Sequence, residues 1–510
     1  MSGLHMRAAT IMSVAQFTIL LLFVYLVGIK CISYFAYRIS RSDSEDYFLA
    51  GRNIGMIALT GTIMASIFST GTIVAAPSEF FRQGAGYFWF FFFAPMPVIY
   101  FFLATRMWKL GKVKGYVTPG EMLGDFFQSH PVKFWAGAVG LLALLPYAVA
   151  QLVAIGKTFE ALTDGHVTYF WGVTIASASI AAYLYFGGAR AVVWTDMAQG
   201  FLLAFLLILA GLLSVKWAGG WEPMIDALMT HAPENTTFAG KVSWTGYYEF
   251  GLLTLSFPFL PYIWQRMYMA RSASAVAFSL CSYPVIFIIL FFSAWVIGTS
   301  AFSLFPDGLQ DADAVVGAIF RENAPYFGAM VLVAAFAAGM STVDSQMLSA
   351  GSLVVRDLLP LVATSVDQRS NYLIGRWATM GLLVFLYLWS LTLQSRPVLD
   401  LIVFGMSLTV IFIPCVFGMF YWKRATSPGA SWSMSLGLLV FLVKQFQLFG
   451  LDVYLPVMGP MTWALMTATA AFVVVSLLTS PGGVAAKQRE YDELLGPASK
   501  KDRLSGTIDP

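Results

Sequence analysis

Charge is scarce in this sequence. Asp, Glu, Lys and Arg make up 11% of 510 residues, where a soluble chain carries about a quarter. That scarcity excludes an ordinary soluble domain. The net charge of +3 is too small for a nucleic-acid binder. Histidine is scarce as well. His5, His130, His166 and His231 all fall outside the apolar runs, so the side chain most used for intramembrane proton relay is missing there. The cysteines, Cys31, Cys281 and Cys415, sit in or beside apolar runs. Their odd number gives no disulfide framework and their spacing no zinc site. No Ser/His/Asp set, metal cluster or Gly-rich phosphate loop stands in a context that supports enzyme chemistry, and no organic cofactor is expected. No ring-forming filter motif points to a channel.

What is abundant is apolar sequence. Hydrophobic residues make up 58%, and runs of about 20 of them recur, each able to cross a hydrocarbon core about 30 Å thick. An all-α polytopic membrane protein follows. Thirteen spans are expected, at 12–35, 54–80, 86–105, 134–157, 168–186, 194–216, 246–265, 275–300, 325–350, 372–393, 397–421, 429–449 and 457–479. The first is too long for a signal peptide and lacks a small-residue cleavage site, so it is read as retained. Most of the 30 Lys and Arg residues fall in loops that face one side if the N-terminus is outside and the C-terminus cytoplasmic, including the cluster Arg106, Lys109, Lys112, Lys114. The expected home is the inner (plasma) membrane. The tail at 481–510 leaves no room for a kinase or other output domain, which argues against a membrane sensor. Asn235-Thr236-Thr237 fits a glycosylation acceptor, used only in a eukaryotic secretory pathway.

Three stretches depart from this lipid-like background. Span two, from Leu59 to Gly71, is rich in Gly, Ser and Thr and runs on to Pro77. Small residues permit a close helix contact in lipid. They also permit a broken helix, whose freed carbonyls replace an ion's water beside a protein-lined cavity. Span seven carries Pro258 and Pro261 among Phe257, Phe259, Tyr262 and Trp264. Each proline disturbs the preceding turn. Two interrupted helices five spans apart point to an inverted-repeat transporter with its site at mid-membrane. In span nine, Ala338, Ser341, Thr342 and Ser345 share one helix face that offers the hard oxygen ligands sodium needs. Asp344 beside them lies either in the site or at the span's wet cytoplasmic end. Asp196, just inside span six, either guides a cation at the inner mouth or sits at a helix N-terminus. Arg266, at the inner end of span seven, reads as a positive-inside anchor.

Three segments now carry a resemblance. Asp46-Tyr47-Phe48-Leu49-Ala50-Gly51-Arg52, Gly187-Gly188-Ala189-Arg190-Ala191-Val192-Val193-Trp194-Thr195-Asp196 and Ala338-Gly339-Met340-Ser341-Thr342-Val343-Asp344-Ser345 resemble the sodium:solute symporter family. The resemblance implies a leucine-transporter type core of five plus five inverted helices. It partitions the chain into an extra span and loop at 1–53, a first repeat at 54–216, an external loop at 217–245, a second repeat at 246–421, two added spans at 422–480 and the tail. It implies a sodium site of the Ala65, Phe68 and Ala338 carbonyls with the Ser341 and Thr342 hydroxyls. Asp196, Ser345 and Asp344 fall on a second cation site of some members, or on the ion's exit path; here Asp344 replaces a hydroxyl, and Ile67 stands where some members are polar. The solute is expected near Ser69, Thr70, Phe257, Tyr262 and Ser407. The function implied is symport of sodium with a small organic solute, a monocarboxylate or amino acid before a sugar or vitamin. Proton coupling through Asp344 or Asp196 is the alternative. Partners are the solute, sodium and lipid, with no nucleic acid.

Overall fold

The computed structural model describes residues 12–40, 43–93, 96–163, 165–238, 242–309, 312–361, 368–454 and 457–496. The end of the expected tail, 497–510, and parts of the loops at 217–245, 301–324 and 351–376 lie outside them.

Among the described residues the regular structure is helical. Eight helices are long and apolar enough to cross a membrane, and a bent pair adds a ninth. The helices used below are α1 (Val14–Arg38), α2 (Met56–Ile67), α3 (Ala76–Gln83), α4 (His130–Leu162), α5 (Tyr169–Trp217), α6 (Trp244–Ser256), α7 (Pro261–Met269), α8 (Ala273–Leu304), α9 (Pro325–Leu353), α10 (Gln368–Ser390), α11 (Val398–Ser407) and α12 (Val484–Leu495). The expected spans five and six are two helical segments that meet at a kink within α5, where Gly188 (φ 50°, ψ −146°) leaves the helical conformation. A Cβ on Gly188 would stand 2.6 Å from Tyr47, so both the conformation and the close approach require glycine.

Both helices expected to be interrupted are interrupted. α2 stops because Phe68 leaves the helical region at φ −81°, ψ 107°. The chain resumes in a wide turn at Gly71–Ala75 and runs on helically into α3; Pro77, which has no N–H to donate, falls where the wide turn gives way to the ordinary helix. The two halves meet at 61°. In span seven, α6 gives way to a tight turn at Phe257–Phe259 and an extended Leu260 before Pro261 starts α7.

α9 lies at the centre. Every residue from Val331 to Leu353 is buried. Its small residues make that possible: Gly339 lies against Ile155 of α4 and Gly351 against Thr379 of α10. At the rim, α1 exposes Leu20, Phe23, Val24 and Phe35, as a lipid-facing helix does.

The face that carries the basic loops is knotted shut. Arg190 pairs with Asp46, joining two of the sequence motifs. Ile54 and Met269–Arg271 exchange backbone bonds of 3.0 and 2.9 Å, tying the ends of α2 and α7. α12 docks on the same face. Lys487 Nζ lies 3.0 Å from Asp125, the Tyr491 and Tyr116 hydroxyls are 2.6 Å apart, and Lys114 pairs with Glu490.

Candidate ion and solute sites

The break in α2 lies against the middle of α9. Thr70 Oγ1 donates to the Ala335 carbonyl at 2.9 Å and pins the break there. A Cβ on Gly339 would stand 2.5 Å from Thr70 Oγ1, so glycine is what lets the two helices meet. At the contact, Ser341 Oγ lies 2.9 Å from the carbonyl oxygens of both Ala65 and Ala338, and Thr342 Oγ1 lies 3.0 Å from that of Ala338. Four of the five expected ligands therefore converge. The fifth, the Phe68 carbonyl, sits where the helix unwinds and is freed from intrahelical bonding. All five groups are neutral hard oxygens, a donor set suited to a monovalent alkali cation. All five residues are buried.

One turn nearer the basic face is a second cluster, and it already holds a cation. Arg266 is 0% exposed; its Nη2 lies 3.1 Å from Asp196 Oδ2 and 3.1 Å from Ser66 Oγ, and it also donates to Ser345. Thr62 donates to the same carboxylate oxygen at 2.6 Å. Arg266 is thus no interfacial anchor, which corrects the sequence expectation. A guanidinium taken so far from water needs a carboxylate, and Asp196 meets it as α5 crosses α2 and α7. Asp344 is likewise 0% exposed, accepting from Tyr183 at 2.6 Å and from Ser345 at 3.2 Å, so the wet helix-end reading of Asp344 is excluded. Asp196 is also fully buried, so it does not stand at an open mouth in this conformation.

Beside the break, on the side away from the basic face, lies a cavity. Ser69 and Phe257 line it, as expected. Three other expected solute residues do not. The Thr70 hydroxyl is committed to α9, Tyr262 is enclosed against Tyr147, and Ser407 Oγ bonds back to Val403 within α11. The sequence reading missed Thr72, Tyr87, Tyr147, Tyr283, Phe287, Phe291, Ile402 and Met406. Tyr283, Phe287 and Phe291 recur every four residues along α8, a signal equally read as a packing stripe. Their rings make a wall: Phe287 and Phe291 stack at 4.3 Å and 17°. Phe68 packs on that wall, 6.2 Å from Tyr283 and 5.9 Å from Phe287. One residue thus carries a carbonyl at the candidate ion site and a ring that backs the aromatic wall of the cavity.

Two broken helices packed around a buried helix, with a cluster of convergent oxygens beside a cavity, are the architecture of a secondary transporter. The sodium:solute symporter family model matches residues 47–437, and the chain belongs to that family. The chain is 27% identical to the sodium/pantothenate symporter of Escherichia coli (strain K12) over 480 residues, 89% of this chain and 95% of that one. It is 26% identical to the sodium/proline symporter of the same strain over 491 residues, covering 91% and 94%. A Na+-coupled sialic acid symporter solved in a substrate-bound outward-open state superimposes with a TM-score of 0.74 at 16% identity, covering 92% of this chain and 99% of that one. A nucleobase-cation-symport-1 family transporter, solved closed with bromovinylhydantoin bound, gives 0.54 at 12%, covering 89% and 96%. The fold is therefore the leucine-transporter type, and the family consists of symporters rather than enzymes.

Proposed function

We propose that this chain imports a small carboxylate-bearing solute, a monocarboxylate or amino acid, together with sodium. It sits in the plasma membrane with its N-terminus outside and its basic face in the cytoplasm, and it works by alternating access between the repeats at 54–216 and 246–421. The observation that carries the reading is the convergence of the Ala65 and Ala338 carbonyls with the Ser341 and Thr342 hydroxyls at the break in α2. Sodium binds there first, takes the place of the hydroxyl–carbonyl hydrogen bonds, and holds the break against α9. The solute then enters the cavity beside Ser69. Because Ser69 lines the cavity and the adjoining Phe68 packs on its aromatic wall, each ligand favours the same arrangement of the break, and the affinity gain is reciprocal. Release is to the cytoplasm, past Asp196, Ser345 and Asp344. That cluster is read as the exit path rather than a second sodium site, since the Arg266 guanidinium fills it.

The test is the melting temperature of the detergent-purified protein in sodium chloride and potassium chloride at equal ionic strength. A ligand that binds only the folded state adds about 2.7 kcal/mol at 100 times its Kd. A sodium-specific rise is expected, lost in Thr342→Ala, with solute adding more only when sodium is present. Solute affinity that is equal in the two salts sinks the coupled site and points to protons instead.

A further inference from the structure

Given symport through this cavity, its lining narrows the class of solute. Among the described residues that line it there is no carboxylate, ammonium, guanidinium or amide. The polar side chains are hydroxyls only, those of Ser69, Thr72, Tyr87, Tyr147 and Tyr283. A hydroxyl has one proton to donate, and a carboxylate is a pure acceptor with room for several such donors. A solute ammonium would find no anionic acceptor on these side chains. A sugar, with many hydroxyls each both donor and acceptor, would leave most of its own groups unpaired against so few partners.

Two further observations sharpen this. Tyr283 is 2% exposed and its hydroxyl has no partner in the protein, although it lines the cavity. A buried hydroxyl without an acceptor is costly, and a ligand oxygen is the natural remedy. The rest of the surface is largely apolar: the stacked rings of Phe287 and Phe291, with Ile402 and Met406. Such a surface rewards a flat or branched hydrocarbon body and gives nothing to a polar one. Sodium bound at the Phe68 carbonyl, one residue from Ser69, adds a positive charge that favours an anionic head.

We propose that the solute is a monocarboxylate with a compact apolar body, branched or ring-sized, whose carboxylate is taken by the hydroxyls of Ser69, Tyr147 and Tyr283 and whose body lies on the aromatic wall of α8. The class excludes polyols and disfavours amino acids, whose ammonium has no subsite.

Equilibrium binding to the full-length purified protein tests this, with acetate, butyrate, isovalerate, benzoate and phenylacetate as the acid series. Phenylacetamide, L-phenylalanine and glucose serve as controls, and every titration is run in sodium chloride and in potassium chloride. In sodium, affinity is expected to rise about fourfold for each methylene buried between acetate and butyrate. Phenylacetate should bind at least tenfold tighter than phenylacetamide or L-phenylalanine, and glucose should not bind. Tyr283→Phe should weaken phenylacetate about tenfold and phenylacetamide less. A flat acid series, an amide or amino acid as tight as the acid, glucose binding, no binding by any acid, or an unchanged phenylacetate affinity in Tyr283→Phe each overturns the inference. The two salts separate this from the symport reading. A rank order that holds equally in potassium leaves the apolar monocarboxylate standing and removes the coupling. Sodium-specific binding of glucose does the reverse.

Discussion

Phe68 meets the proposed ion site and the wall behind the cavity with different parts of itself. Its backbone ends α2 and leaves its carbonyl outside the helix, and its ring rests on Tyr283 and Phe287. The two roles separate by mutation, because every residue has a carbonyl. Phe68→Leu should therefore keep sodium binding within about threefold while the factor by which sodium improves solute affinity falls by about tenfold, roughly 1.4 kcal/mol of coupling. Titrating solute at zero and saturating sodium measures both; an unchanged coupling factor would show that the ring is not the link. Arg266 is the other residue whose meaning changed. Removing it in Arg266→Leu leaves Asp196 buried and unpaired, which should cost about 3–5 kcal/mol. Replacing both residues with apolar ones should recover much of that loss, seen as a melting temperature of the double variant above that of the single one.

At the scale of elements, the site is a contact between two backbones. α2 and α9 approach as closely as they do because position 339 has no side chain. Gly339→Ala should push the break away, strain the Thr70–Ala335 bond and destabilise the protein by about 1–3 kcal/mol. It should also reduce the sodium-specific gain in melting temperature; full retention of that gain would mean the ion does not need the close contact. This part of the site was legible in the sequence. Gly, Ser and Thr in an apolar run are a local signal, and hydroxyls three and four residues apart must share a helix face. The remainder depends on which helix lies against which. Arg266 and Asp196 are 70 residues apart, and only the crossing of α5 with α7 makes them a pair. The aromatic wall of α8 is spaced like any packing stripe, and its role follows from where Phe68 falls. Thr70 and Ser407 were overread for the matching reason: a hydroxyl in an apolar helix has a ready partner in a backbone carbonyl, and both take one. The form of the kink between the expected spans five and six likewise depends on what lies against it, since Tyr47 leaves no room for a Cβ at Gly188.

Across the whole molecule, the basic face is held by charge as well as by packing. Burial alone would raise the Asp125 carboxyl, but the Tyr116 and Lys487 hydrogen bonds and the charges of Lys487 and Lys114 outweigh it and hold Asp125 below the usual range. Glu490 is lowered too, by its bonds to Lys114 and Lys487. Lys487 is raised: burial opposes this, and the bonds to Asp125 and Glu490 prevail. Both carboxylates are lowered by docking, so their contribution is full above the ordinary carboxylate pKa of about 4 and fades as pH falls through the lowered values. The raised lysine contributes below about 10.4 and fades as pH climbs past its raised value. Docking of α12 should thus be flat across neutral pH and loosen only in strong acid or strong base. A spin label on the exposed position of Arg489→Cys reports this directly; mobility that changes between pH 6 and 8 would contradict it.

The attachment of α12 has a consequence for how the protein is made. The ribosome delivers residues 114–125 long before residues 484–495, so the lysine, carboxylate and tyrosine of that early loop stay bare while every helix between them enters the bilayer. The last contact formed is the one that covers this early loop, and a nascent chain that stalls before residue 484 leaves that loop open to proteases on the basic face.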